Sequence, residues 1–198
     1  MGSRSDTRQK MLLSSVELLR ERGAGGVTVD AVLSRSQAPR GSVYHHFPGG
    51  RGEIISEALA LAGDTTSAII EQATAEGSLG ALRRFGKFWN KLLLNSDFNA
   101  GCPVVSVAVG GSPDDQHLQP AVAEIFQRWH RALAEAIIAD GVHAPRAHRL
   151  ATTAVAAIEG AIILCRVQRS TTPLDNVIAE FGSLIAAATS VAPPNTAT

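Results

Sequence analysis

Apolar residues recur at three- and four-residue spacing through almost every segment of this 198-residue chain, which is the period of a helix with one buried face. No long apolar/polar alternation competes with that pattern, so the spacing predicts an all-α protein. Ser5 or Asp6 can cap a first helix whose Leu12, Leu13, Val16 and Leu19 share a face and which runs to about Arg22, where Gly23 stops it. After the turn Gly23-Ala-Gly-Gly26, Thr28 is a suitable N-cap for a short helix carrying Val29, Val32 and Leu33 and ending near Ser36. Pro39 suits the first turn of a third helix, because the N–H it lacks would have no intrahelical partner there. That helix carries Arg40, Ser42, Val43 and Tyr44 and is stopped by Pro48-Gly-Gly50. A long fourth helix is expected from about Arg51, through Ile54, Ile55, Ala58, Leu59, Ala62, Ile69 and Ile70, to the break at Glu76-Gly77.

Beyond that break Ser78 is read as the cap of a helix with a broad stripe of Leu82, Phe85, Phe88, Trp89, Leu92 and Leu93. Asn99 to Pro103 interrupts helicity, Val104 to Val109 is a short apolar run, and Gly110 to Asp115 is expected to be an exposed loop. Val122, Ile125, Phe126, Trp129, Leu133 and Ile137 then define a helix ending at Gly141. Two more are expected, from about Arg146 to Gln168 and from Leu174 to Ala188, before a Pro/Ala/Thr tail over 191–198 that is expected to be flexible. The organisation predicted is a three-helix head over residues 1–50, a larger helical body over 51–190 into which the fourth helix leads, and the tail.

Hydrophobic residues form 45% of the chain and charged ones 18%, enough for a packed core and unlike a disordered chain. Formal charge is zero overall, but residues 1–50 hold seven basic against four acidic side chains, so a basic head sits on an acidic body. Cys102 and Cys165 lack CxxC pairing and histidines at ligand spacing, and neither a metal site nor a disulfide is indicated. His117, His130, His143 and His148 likewise lack ligand spacing. No cofactor is expected. A signal-peptide core and an apolar run of membrane-spanning length are both missing from this reading, which makes a cytoplasmic location the expectation. There is no nucleophile beside a His and Asp, no dinucleotide or Walker loop and no HExxH, so the protein is not expected to be an enzyme.

The chemistry is concentrated between Thr28 and Glu53, where two short helices joined by a tight turn precede an aromatic and histidine cluster. A helix-turn-helix needs this layout: one helix braces while the other presents small and basic side chains to a major groove. Arg40 can reach guanine O6 and N7, Gly41 permits close approach to a sugar-phosphate strand, and Ser42 can bond phosphate or base. Tyr44-His-His-Phe47, preceded by Gly-Ser and followed by an arginine that opens a long helix, resembles the DNA-binding signature of the TetR family. Pro39 to Gly50, with one residue more than the usual spacing before Arg51, is similar to the LmrA/YxaF-like branch, as are Gly101-Cys-Pro-Val104, Glu159-Gly-Ala161, Arg169-Ser and Pro173-Leu-Asp175. Gly52 departs from the family, which places an acidic helix former there.

The resemblance implies that Thr28, Tyr44, His45 and Arg51 contact phosphates and that Arg40 and Ser42 read bases, with Ser36 and Gly41 completing the DNA-facing set. Phe47 is read as a core aromatic and His46 as structural. The implied function is a repressor that binds palindromic double-stranded operator DNA as a homodimer, away from any membrane, and is released by a small, mostly apolar effector. Phe85, Phe88, Trp89, Phe98, Cys102, Phe126, Trp129 and Leu164 are candidates to line an effector pocket, with plain core packing as the alternative for each. Small residues Ala154, Ala157, Gly160, Ala161, Ala186 and Ala187 nominate the last two helices as a dimer interface. The rival reading is a helical thiol-based sensor or enzyme using Cys102, without sequence-specific DNA binding.

Overall fold

The computed structural model describes residues 4–74, 76–110 and 113–190, and among them the chain is all-α, with nine helices and no strand. In order these are α1 (Arg4–Arg22), α2 (Val29–Ser36), α3 (Val43–His46), α4 (Gly50–Thr74), α5 (Gly77–Asn95), α6 (Pro103–Val109), α7 (Gln119–Ala139), α8 (Ala144–Gln168) and α9 (Thr172–Ser190), with short 3-10 turns at Ala24–Gly26, Arg40–Ser42 and Pro113–Leu118. The chain divides into two compact units, one of Met1–Thr65 with Asn99–Ile125 and the other of Thr66–Phe98 with Phe126–Thr198. Helices α4 and α7 each run from one unit into the other.

In the first unit, Met11, Leu18, Leu19, Val32, Phe47 and Ile55 are fully or almost fully buried and form the centre of the core. The Thr28 hydroxyl accepts the Ala31 N–H at 3.1 Å and so starts α2 as a side-chain cap should. Gln37 ends α2 in the left-handed conformation, φ 55°, its N–H donating to the Leu33 carbonyl. The third helix is tighter than the sequence suggests: Pro39 stands outside it in extended conformation, and Arg40–Ser42 form a 3-10 turn that feeds the four residues of α3. Ser42 is the reason for the tight turn, since both its N–H (2.9 Å) and its hydroxyl (2.6 Å) donate to the Pro39 carbonyl. Gly50 adopts φ 61°, a left-handed turn between α3 and α4 that a side chain would strain. Residues 103–109, read only as an apolar run, form α6 with Pro103 in its first turn, and the Gly101 N–H ties the preceding segment to the Arg20 carbonyl at the end of α1.

The expected exposed loop at 110–115 is only partly that. Gly111 and Ser112 lie outside the described residues, whereas Asp115, in the following 3-10 turn, is buried. The 191–198 tail also lies outside the described residues.

In the second unit α9 packs on α8 and α5, burying Leu82, Leu93, Ile158, Ile162, Phe181 and Ile185. Ser78 is not the cap of α5. It lies inside the helix, and its N–H is satisfied by the Asp140 carboxylate at 2.8 Å instead. Contrary to the expectation of no membrane-length apolar run, α8 is long and apolar enough to pass that test. One face of α8, including Leu150, Ala154, Ile158, Ala161 and Ile162, is buried within the unit and accounts for part of that apolarity, while Ile163, Leu164 and Val167 are exposed.

Candidate DNA-reading surface and effector cavity

The stretch from Arg40 to Phe47 is amphipathic at helical spacing, and its two faces have different fates. Val43 and Phe47 are fully buried and pin it to the core, while Arg40, Gly41, Tyr44 and His45 are exposed and Ser42 is half-buried beside them. The Arg8 guanidinium lies 4.8 Å over the Phe47 ring and pairs at 2.6 Å with Glu57 on α4, so the base of the stretch is braced from α1 and α4 together. His46 is half-buried and its ring meets that of His45 edge-on at 5.1 Å. Thr28 is exposed at the head of α2, free to keep its cap bond and meet a phosphate oxygen as well. The Ser36 hydroxyl donates back to the Val32 carbonyl at 2.7 Å. Five expected DNA contacts, Arg40, Gly41, Ser42, Tyr44 and His45, therefore share one short helical segment with its outer face open.

Arg51 is placed differently from a phosphate contact. Its Nε donates to the Val27 carbonyl at 2.9 Å, Nη2 to the Ala24 carbonyl at 2.9 Å, and Nη1 and Nη2 to the two Asp115 oxygens at 2.7 and 3.1 Å. Four of its five N–H donors are thus engaged inside the unit. Hydrogen bonding to Asp115 raises the Arg51 pKa, so the guanidinium stays charged. Arg51 here is a clamp that joins the turn after α1, the start of α4 and the Pro113–Leu118 turn. Neither Asp114-Asp115 nor the local pattern around it signals a partner 64 residues away in sequence.

The second unit encloses a cavity of about 40 Å³, walled by Ile70, Ser78, Leu82, Phe85, Trp129, Leu133, Ile137, Val155, Ile158, Glu159, Phe181 and others. Of the eight pocket candidates the wall contains Phe85 and Trp129, and the Trp129 indole donates to the Ser67 hydroxyl at 3.1 Å. Phe88 and Trp89 cluster behind Phe85, at ring separations of 6.2 and 6.4 Å, and Phe126 stands edge-on to Trp129 at 5.3 Å; these three support the wall without forming it. Phe98 adopts φ 58° under the Arg169 guanidinium, 5.9 Å from its ring, and Leu164 lies half-exposed on the opposite face of α8 from the core. Cys102 is buried in the first unit, outside the cavity. Aromatic content was the wrong guide, because the wall is mainly aliphatic. Ser78 and Glu159 were missed as wall residues, although a carboxylate in the middle of an apolar helix is a legible anomaly. Among the described residues no cluster of His, Cys, Asp and Glu could hold a metal.

A short helix pinned by its inner face and open on its outer one is the layout of a DNA-binding helix-turn-helix, here carried by a chain with a second helical unit. The comparisons with known proteins agree. Residues 12–61 match the model of bacterial regulatory proteins of the tetR family, and residues 78–180 match that of the C-terminal domain of LmrA/YxaF-like transcriptional regulators. An uncharacterized HTH-type transcriptional regulator of Mycobacterium tuberculosis is 43% identical, over 91% of this chain and 94% of its own. The HTH-type transcriptional regulator LmrA of Bacillus subtilis is 29% identical, over 87% and 93%. The crystal structure of a regulatory protein TetR from Rhodobacter sphaeroides shares the fold, with a TM-score of 0.79 at 24% identity, covering 88% of this chain and 96% of that one. This chain belongs to the TetR family of transcriptional regulators, in its LmrA/YxaF-like branch.

Proposed function

We propose that the protein is a repressor that binds a palindromic operator as a homodimer and lets go when a small, mostly apolar molecule enters the cavity. The observation that carries this reading is the exposed row Arg40, Gly41, Tyr44 and His45 over a buried Val43 and Phe47. Arg40 and Ser42 read base edges, and Thr28, Tyr44 and His45 hold phosphates. Arg51 leaves the contact set for its clamp role.

Self-association is supported on α8 and α9. Ile163, Leu164 and Val167 on α8 and Leu184 on α9 are exposed, and apart from Gly160's chain neighbours and the nearby backbone of its own helix no atom lies within 4 Å of where a Gly160 side chain would begin, which leaves room for a second backbone. Ala157, Ala186 and Ala187 remain available, whereas Ala154 and Ala161 are buried inside the protomer and drop out of the expected interface.

Release follows from where Ile70 sits. It is a cavity-wall residue near the end of α4, the helix whose first turn holds the Arg51 clamp. A cavity of about 40 Å³ is far below the roughly 300–1,000 Å³ of a site for a drug-sized ligand, so such a guest must move the wall. Recognition helices of a dimer fit two half-sites only at a spacing of roughly 34–36 Å, and a shift of α4 takes one out of register. A coupling of about 1–3 kcal/mol gives roughly 5–150-fold in DNA affinity. The test is a titration of operator DNA, found as a palindrome near the coding gene, with and without effector. Operator and effector must weaken each other's binding by one common factor. Independent binding of the two refutes this mechanism, and failure to retard any palindromic DNA refutes the operator reading.

A further inference from the structure

Among the described residues the cavity wall carries few polar groups, and all but one of them are occupied. The Trp129 indole N–H is taken by Ser67, and Glu159 has a partner of its own. The Ser78 hydroxyl has none, although the residue is only 3% exposed. Helix capping, the ordinary reason for a serine near a helix start, does not apply, since Ser78 is already inside α5 and its N–H is satisfied by Asp140. Its neighbours on the wall include Ile70, Ala81, Leu82 and Phe85. A buried hydroxyl in that setting is less favourable than the methyl of an alanine, so its presence calls for a partner that arrives from outside the chain.

We propose that Ser78 is the polar anchor of the effector site, and that the site takes a neutral, largely apolar molecule carrying one hydroxyl or carbonyl group. This rests on the reading of the cavity as the effector site. A serine hydroxyl both donates and accepts, so it serves either group. The guest's carbon skeleton lies against Leu82, Phe85, Trp129, Leu133 and Phe181. No lysine or arginine belongs to the wall, which disfavours an anion, and its one carboxylate, Glu159, already has a partner within the chain.

Two matched probes, 4-propylphenol and propylbenzene, test this by calorimetric titration of the full-length protein. The ratio of phenol to propylbenzene affinity falls about tenfold in Ser78→Ala, a change of about 1.4 kcal/mol, and Ser78→Thr restores it. Propylbenzene affinity stays within about twofold, because the apolar wall is untouched. The ligand-free Ser78→Ala protein melts no lower than the parent, since no intramolecular hydrogen bond is lost. A ratio that survives Ser78→Ala, or a melting temperature several degrees lower, overturns the anchor and leaves the cavity standing. If neither probe binds the parent protein, or both bind equally well after Leu133→Trp fills the space, the cavity is not the effector site and the proposal falls with it.

Discussion

Replacing Val167 by arginine isolates the proposed contact between α8 and α9 of two copies. Val167 is 77% exposed and shares its stretch of α8 with the exposed Ile163 and Leu164, an apolar patch on a helix whose other face is core. Fully burying a valine contributes about 1.5–3 kcal/mol, so covering this one contributes roughly 1–2 kcal/mol per protomer. A two-fold interface uses the same patch on both copies, and the substitution therefore removes roughly 2–4 kcal/mol per dimer before any cost of burying the new charge. The dimer dissociation constant rises roughly 30- to 700-fold. Sedimentation velocity over a concentration series measures it. Val109 is the control: it is 75% exposed but lies on α6 in the first unit, so Val109→Arg leaves the dissociation constant unchanged. A constant that Val167→Arg leaves within threefold of the parent, or an equal effect from Val109→Arg, refutes the placement.

Asp115→Ala strands the Arg51 guanidinium in a partly buried position, and urea denaturation should show a loss of about 1–3 kcal/mol, less than for a fully buried pair because Arg51 keeps some contact with water. Arg40→Ala weakens operator binding by about 1–3 kcal/mol while binding to random DNA changes little, and competition assays showing an equal loss on both would make Arg40 a phosphate contact instead. Hydrogen bonding to Arg35 holds the Glu21 carboxyl below its ordinary pKa. The folded state therefore binds that proton less readily than the unfolded chain, so the stabilisation is present above the ordinary carboxylate pKa and is lost as pH falls through the lowered one. Denaturation midpoints of the parent and Arg35→Gln should differ at neutral pH and converge in acid; a gap that persists in acid would assign it to something other than this pair.

The helices were legible because each carries a periodic apolar face, and the head was legible because its cap, turn and aromatic cluster lie within some twenty-five residues of chain. What escaped depends on partners distant in sequence. Ser78 has the composition of a cap, but Asp140, 62 residues on, takes over that task. Asp115 looks like loop acid until Arg51 reaches it. Leu164 and Leu133 are the same residue type, each within an apolar helix, yet one faces outward and the other lines the cavity, a distinction set by helix rotation in the packed unit. Aromatic content was a poor guide to the cavity for the same reason, since Phe88 and Trp89 pack behind the wall.

The Arg51 clamp makes the DNA-binding module discontinuous in the gene. A transfer of the first fifty or sixty codons alone carries the guanidinium without its own carboxylate, because Asp115 and the rest of Asn99–Ile125 are encoded beyond the Thr66–Phe98 segment of the second unit. A chimeric regulator built on a foreign second unit therefore keeps the clamp only if the segment that supplies residue 115 brings a carboxylate to meet Arg51.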